Sequence, residues 1–322
     1  MILAVRASVP VVLALLFGLA CGGGGSSGAT TAATTATATG EAYYYVRYKE
    51  PLPNAPTLEA GEWSSAVSNA GLTGNFDTKR TLQAGARANP ADLPPDLLLI
   101  LKKKAPAAQF SGNYNAIVYG LFASQVTSGQ FLMEFSTSPA APYARSSGIT
   151  NSNSQPMLGE LPSGSAWAVD AAGNVTWGGW KGAVDGGATT LLLHKDKLLL
   201  LGSKRADHAD SEVAGKDFQS LALLQYHDGS STTAASGAGT SRFKDGRFGA
   251  VSMVFTQTNI GVAIPTAGRP YRLRPTDSSL IQISSVEDFS DTTEQGFLGS
   301  TDFHAIINPD TANRPALLIL LF

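Results

Sequence analysis

Cysteine occurs once in the 322-residue chain, so no intramolecular disulfide can form and no zinc site can be built from cysteines. Charge is scarce as well: Asp, Glu, Lys and Arg make up 15% of the residues, against about a quarter of an ordinary soluble chain. A formal charge of −2 gives no field able to capture nucleic acid or an anionic lipid surface, and no nucleic-acid partner is expected. The longest basic run, Lys102-Lys103-Lys104, follows an apolar stretch and reads as a solvated strand end or an edge guard. The four histidines, His194, His208, His227 and His304, stand too far apart for metal-ligand spacing. No P-loop or EF-hand loop occurs, and no Gly-x-Ser-x-Gly is set between a strand and a helix. Beyond residue 21 no segment sustains a helical period. The motif-borne enzyme classes therefore drop out, and nothing calls for a cofactor.

What the chain does have begins at its first residues. Arg6 is followed by an uncharged apolar run over residues 9–20, which ends at Cys21. Twelve residues are too few to cross ~30 Å of hydrocarbon as a helix but suit the core of a secretory signal, so residues 1–20 are expected to be a signal peptide. Residues 22–40, GGGGSSGATTAATTATATG, carry no charge and no aromatic ring. They read as a flexible tether whose coil dimension is on the order of 25 Å.

The end of the apolar run, Gly18-Leu19-Ala20-Cys21, resembles the cleavage site of bacterial lipoprotein precursors. Ala20 and Cys21 match the family's pattern, whereas Gly18 stands where the family prefers leucine. The resemblance implies that Cys21 becomes the mature N-terminus and carries diacylglycerol and a further acyl chain such as palmitate. It also implies an outer-membrane or cell-surface location in the envelope, since Gly22 stands where retained members commonly have aspartate. Each buried methylene of such an anchor adds roughly 0.8 kcal/mol, so two or more chains hold durably.

Residues 41–322 read as an all-β body. Tyr43-Tyr44-Tyr45-Val46-Arg47-Tyr48-Lys49 has the aromatic and β-branched character of a strand. Hairpins are predicted around residues 170–173 and around Lys195-Asp196. Residues 138–165 and 228–239, rich in small and turn-forming residues, read as loops. One arrangement recurs: a glycine-ended apolar stretch, a polar loop and a second apolar stretch, strongest at residues 202–226 and weaker at 84–101 and 298–321. Repeat ends are therefore placed near residues 104, 228 and 322.

The apolar stretches LLLIL, LALL, LLLL and ALLILL do not alternate with polar residues, so the strands they form need cover on both faces. A β-propeller-like antiparallel repeat body, with blades stacked face to face, would provide that cover. Lipocalin-like up-and-down β-barrel units are the alternative architecture. Phe322 after an apolar strand also resembles the ending of outer-membrane barrels, but the preceding segment lacks their polar lumen-facing alternation.

Candidate functional residues are dispersed. Trp167, Trp177 and Trp180, with Gly178 and Gly179 between two of them, could stack on sugar rings or partner side chains if exposed, or fill a core if buried. Asp207, His208, Asp210 and Glu212 form the densest group of potential ligands, and Asp302, His304 and Asp310 occupy the corresponding third loop. Equivalent loops of a repeat protein tend to gather on one face. The expectation is an envelope lipoprotein anchored to the membrane through Cys21. It would act without catalysis as a binding or structural module, with carbohydrate or another envelope protein as its partner class. The alternative is an anchored hydrolase or carbohydrate-active enzyme whose loop carboxylates converge in one pocket.

Overall fold

A computed structural model describes residues 41–49, 57–64, 67–89, 94–106, 110–120, 130–137, 143–146, 167–227, 232–256, 268–290, 292–299, 302–308 and 316–322. Cys21, the tether and Asp310 lie outside them. The described residues belong to one compact unit, residues 33–322.

Among the described residues, regular structure is all β apart from one short 3₁₀ turn, and every strand pairing is antiparallel. The first sheet holds β1 (Ala42–Lys49), β2 (Thr57–Glu62), β3 (Thr73–Asn75), β4 (Leu82–Ala86) and β5 (Asp96–Lys103) in the order β2-β1-β5-β4-β3. The second has eight strands. They are β6 (Asn113–Gly120), β7 (Gln130–Ser136), β8 (Tyr143–Ser146), β9 (Ala168–Val169), β10 (Asn174–Trp177), β11 (Trp180–Val184), β12 (Thr190–Lys195) and β13 (Leu198–Lys204), with β13 inserted beside β6.

The C-terminal strands form a closed barrel in simple up-and-down order. They are β14 (Asp217–His227), β15 (Thr232–Lys244), β16 (Arg247–Phe255), β17 (Arg269–Arg274), β18 (Asp277–Ser284), β19 (Thr292–Leu298), β20 (Phe303–Asn308) and β21 (Ala316–Leu321), with β21 returning to β14. Sheets of five and eight strands plus a barrel differ from a ring of four-stranded blades, and the barrel fits the up-and-down alternative. Of the recurrent segments, residues 202–226 span two sheets, because β13 pairs with β6 whereas β14 pairs with β15 and β21.

The unbroken apolar strands are covered on both faces. Leu97, Leu99 and Leu101 of β5 join Tyr44, Val46 and Tyr48 in a core shared with Ile117 and Leu201 of the second sheet and with Leu317, Ile319 and Leu321 of the barrel. On the other face of β5, Leu98 and Ile100 pack beside Tyr43, Tyr45 and Trp63. Likewise Leu318 and Leu320 of β21 point into the barrel, where Phe218, Phe243, Phe248, Ile281, Ile283 and Ile306 fill the interior. An apolar strand between two packed layers gains on both sides, so alternation is neither needed nor seen.

Two sequence expectations are corrected. Residues 232–239 are not loop but the first half of the 13-residue β15, with Ala235 and Ser236 fully buried. Their small side chains permit close approach, since the ring of Phe255 lies over Gly237. Lys103 is not a solvated end either: its side chain is 3% exposed, bonds Glu62, and donates to Asn174 Oδ1 at 2.7 Å. It continues the inward face of Leu97, Leu99 and Leu101, and its ammonium is tolerated there because both partners reach it. Lys102, in contrast, pairs with Glu41 near the surface.

Candidate functional site

The tryptophans settle first. Trp177 and Trp180 are 2% and 1% exposed, and they face each other across the β10–β11 turn formed by Gly178 and Gly179. Both glycines have positive φ, +50° and +92°, as a two-residue hairpin turn of matching twist requires. Trp167 is half-buried and stacks on Trp177 with centroids 4.4 Å apart and planes at 11°, while Phe110 meets it edge-on. The glycines between the tryptophans thus serve the turn, and the rings pack against Leu191, Leu193 and Leu200 in the core on one face of the second sheet. Of the two readings, exposed platform or buried core, burial selects the core for Trp177 and Trp180.

The loop from Arg205 to Lys216 is more informative. It leaves β13 of the second sheet and enters β14 of the barrel, and its polar groups are spent on holding it there. Arg205 pairs with Asp277 at 2.5 Å. The Ser278 hydroxyl donates to Asp207 Oδ1 at 3.1 Å and accepts from the His208 N–H at 3.2 Å. A single 3₁₀ turn, Asp210–Glu212, follows. Glu212 reaches back so that Oε1 accepts from the Ala209 N–H and Oε2 accepts from His208 Nδ1, both at 2.8 Å. Those bonds hold the Glu212 carboxyl below its ordinary range, the His208 bond contributing most. The Tyr271 hydroxyl bonds Asp210, and burial with this carboxylate alongside pushes its pKa up to about 12. Val213, fully buried, inserts into the barrel core. Gly215, at φ +76°, donates its N–H to the Phe243 carbonyl at 2.7 Å.

The loop therefore closes one end of the barrel, and beneath it lies His304. This histidine, on β20, is 1% exposed. The rings of Phe218 and Phe322 stand 5.4 and 4.5 Å from it. Its Nδ1 accepts from the Gly299 N–H at 3.1 Å. Burial pushes the His304 pKa down to about 3, and the nearby charge of His208 acts in the same direction. His304 thus lies on a strand, not in the third loop that the sequence suggested.

The described loop acids, Asp207, Asp210 and Asp302, each have a different partner. Asp207 serves Ser278 and Asp210 serves Tyr271, while Asp302 Oδ2 accepts from the Thr81 N–H at 2.9 Å, joining the barrel to the first sheet. These three carboxylates, named from the sequence, thus take separate partners. Among the described residues no group of three His, Cys, Asp or Glu side chains is placed to hold a metal ion.

Sequence reasoning missed a second polar pair, on strands of the barrel. Glu294 shares the inward face of β19 with Leu298, and its Oε1 accepts from Arg269 at 2.9 Å. Burial raises the Glu294 pKa to about 7 despite that guanidinium. Its parity with Leu298 was the only available signal. No family model matches the chain, and comparison with curated proteins and with solved structures finds no match.

Proposed function

We propose that this chain is a lipid-anchored protein of the bacterial cell envelope, acting without catalysis as a binding or structural module, with its C-terminal strands forming a lipocalin-like barrel. One observation carries the reading: the apolar run of residues 9–20 stops at the sole cysteine, Cys21, and an uncharged tether follows. Acyl chains on that sulfur and on the freed amine would hold the body at the outer membrane or cell surface, with the tether allowing stand-off on the order of 25 Å.

The body supports a binding or structural role in two ways. Side chains fill the barrel interior, so recognition of carbohydrate or another envelope protein would fall to outer surfaces. The loop carboxylates Asp207, Asp210 and Asp302 are engaged with separate structural partners.

Cys21→Ala tests the anchor. The wild-type chain should sediment with membranes and carry acyl mass at its mature N-terminus, and the variant should move to the soluble fraction. Unchanged membrane association, or an unmodified thiol at the wild-type N-terminus, would overturn the proposal.

A further inference from the structure

Lys103 ends the inward face of β5, and the chain beside it is the turn that leads into β10. The two backbones approach closely: a Cβ on Gly173, whose φ is +81°, would lie 2.5 Å from the Lys104 carbonyl carbon. Only glycine allows that approach. The Lys104 N–H also donates to the Val184 carbonyl of β11 at 3.2 Å, so the first and second sheets are held together here. At this crossing the Lys103 side chain, 3% exposed, donates from Nζ to Asn174 Oδ1 at 2.7 Å and bonds the Glu62 carboxylate. Asn174 is gripped from its other end. Its Nδ2 donates to Asp170 Oδ2 at 2.8 Å and its N–H to Asp170 Oδ1 at 2.9 Å, which fixes the amide so that its carbonyl faces the lysine.

An amine, a carboxamide and a carboxylate thus meet in one place. With Nζ 2.7 Å from Oδ1, the carbonyl bond length puts it no more than about 4 Å from Cγ. Groups held at about 3–3.5 Å react with most of the advantage of an intramolecular step. A buried lysine becomes a nucleophile once a neighbouring base takes a proton from it. Glu62 is that base, because its carboxylate touches Nζ while its side chain stays 60% exposed. A salt bridge would need Glu62 alone, whereas here Asp170 also orients the amide.

We propose that Lys103 and Asn174 join through an intramolecular isopeptide bond, with Glu62 as the proton carrier. Glu62 takes one proton from the Lys103 ammonium, and the neutral Nζ attacks Cγ. The C–N bond forms as the carbonyl π pair moves to Oδ1, and that pair returns as the bond from Cγ to Nδ2 breaks. Nδ2 leaves as ammonium, having received the proton carried by Glu62 and a second one from Nζ. Asp170, already bonded to Nδ2, stands beside the departing cation. One lysine ammonium and one carboxamide give one secondary amide and one ammonium ion, so hydrogen and charge balance without an oxidant. The bond staples the first sheet to the second in a chain whose single cysteine can form no internal disulfide.

Proteolysis and tandem mass spectrometry of the folded full chain test the bond. Wild type should give a branched peptide joining Lys103 to Asn174, about 17 Da below the sum of the two linear peptides because ammonia is lost. Trypsin should not cut after Lys103. Glu62→Gln removes the base at a largely exposed side chain, so it should leave both peptides linear in a chain that still folds by circular dichroism. Wild-type linear peptides with cleavage after Lys103 and an intact Asn174 would overturn the proposal. So would Asn174 recovered as aspartate in a linear peptide, since hydrolysis would then have taken the place of cross-linking. A branched peptide at wild-type yield in Glu62→Gln would overturn the role of Glu62. The wild-type digest decides the bond even if the variant fails to fold.

Discussion

Arg47 and Asp96 meet through two parallel hydrogen bonds, Nε to Oδ1 at 2.8 Å and Nη2 to Oδ2 at 2.5 Å, with side chains only 8% and 3% exposed. They lie diagonally across the β1–β5 pairing, where Arg47 stands opposite Leu98 and Asp96 opposite Lys49. Arg87 approaches the same carboxylate at 3.5 Å. The backbone joins in, since the Asp96 N–H donates to Ser236 Oγ of the barrel, whose hydroxyl donates to the Arg87 carbonyl. One aspartate thus fastens two strands of the first sheet and the first sheet to the barrel.

Asp96→Ala should therefore be among the more damaging single substitutions. It strands the Arg47 guanidinium in a buried setting, a change that typically costs about 3–5 kcal/mol. The double variant Arg47→Met with Asp96→Leu removes both charges and keeps apolar volume, so it should recover much of that loss. Urea denaturation of the two variants checks the point. Equal destabilisation of single and double variants would show that the backbone link to Ser236 and lost packing dominate, not the stranded charge.

The dependence of stability on pH should be set by two buried groups that pull in opposite directions. His304 is neutral in the fold down to about pH 3, whereas in the unfolded chain it takes a proton near 6.5. Between those values the unfolded state binds more protons, so His304 makes stability rise with pH, by about 5 kcal/mol at most across the interval. Glu294 holds its proton in the fold up to about pH 7, whereas unfolded it loses it near 4.5. There the native state binds more protons, so Glu294 makes stability fall as pH rises, by about 3 kcal/mol over its window. Between pH 4.5 and 6.5 the two slopes oppose each other. His304→Gln should make stability fall more steeply with rising pH in that range, and Glu294→Gln should make it rise more steeply. Chemical denaturation at pH 4.5, 5.5 and 6.5 measures both, and variant curves parallel to wild type would refute the assigned charge states.

Much of this fold can be read from residue order, but by different routes in different places. The doubly apolar strands announce themselves: Leu97 to Leu101 cannot alternate, and the chain sandwiches them between Tyr43 with Trp63 on one side and Tyr44 with Val46 on the other. His208 lies in the loop that its polar sequence suggests, whereas His304 lies on a strand. The Arg269–Glu294 pair is not legible in the sequence, because the two residues are 25 apart and only barrel closure turns both strands inward. Trp177 and Trp180 stay ambiguous in the sequence because glycine beside tryptophan suits a sugar platform as well as a hairpin turn. Burial decides between them, and burial depends in part on Phe110, which lies far off in sequence.

In β15, the composition of residues 232–239 suggests a loop, yet the glycines there are sites of close approach. Gly239 pairs with Met253 of β16, and a Cβ at this position would lie 1.8 Å from the Ser252 carbonyl oxygen and 2.7 Å from the Met253 Cα. Both obstacles are backbone, so no side chain can turn aside and the strands themselves must part. Gly239→Ala should therefore destabilise the barrel by several kcal/mol, beyond the 1–3 kcal/mol typical of ordinary overpacking. Gly246 provides the contrast. Its φ of +71° would strain most residues, but nothing lies within 4 Å of its Cβ position, and asparagine tolerates that backbone region. Gly246→Asn should cost less than about 1 kcal/mol. Thermal denaturation of the two variants separates the cases. If Gly239→Ala melts with wild type, the β15–β16 approach is looser than this contact requires.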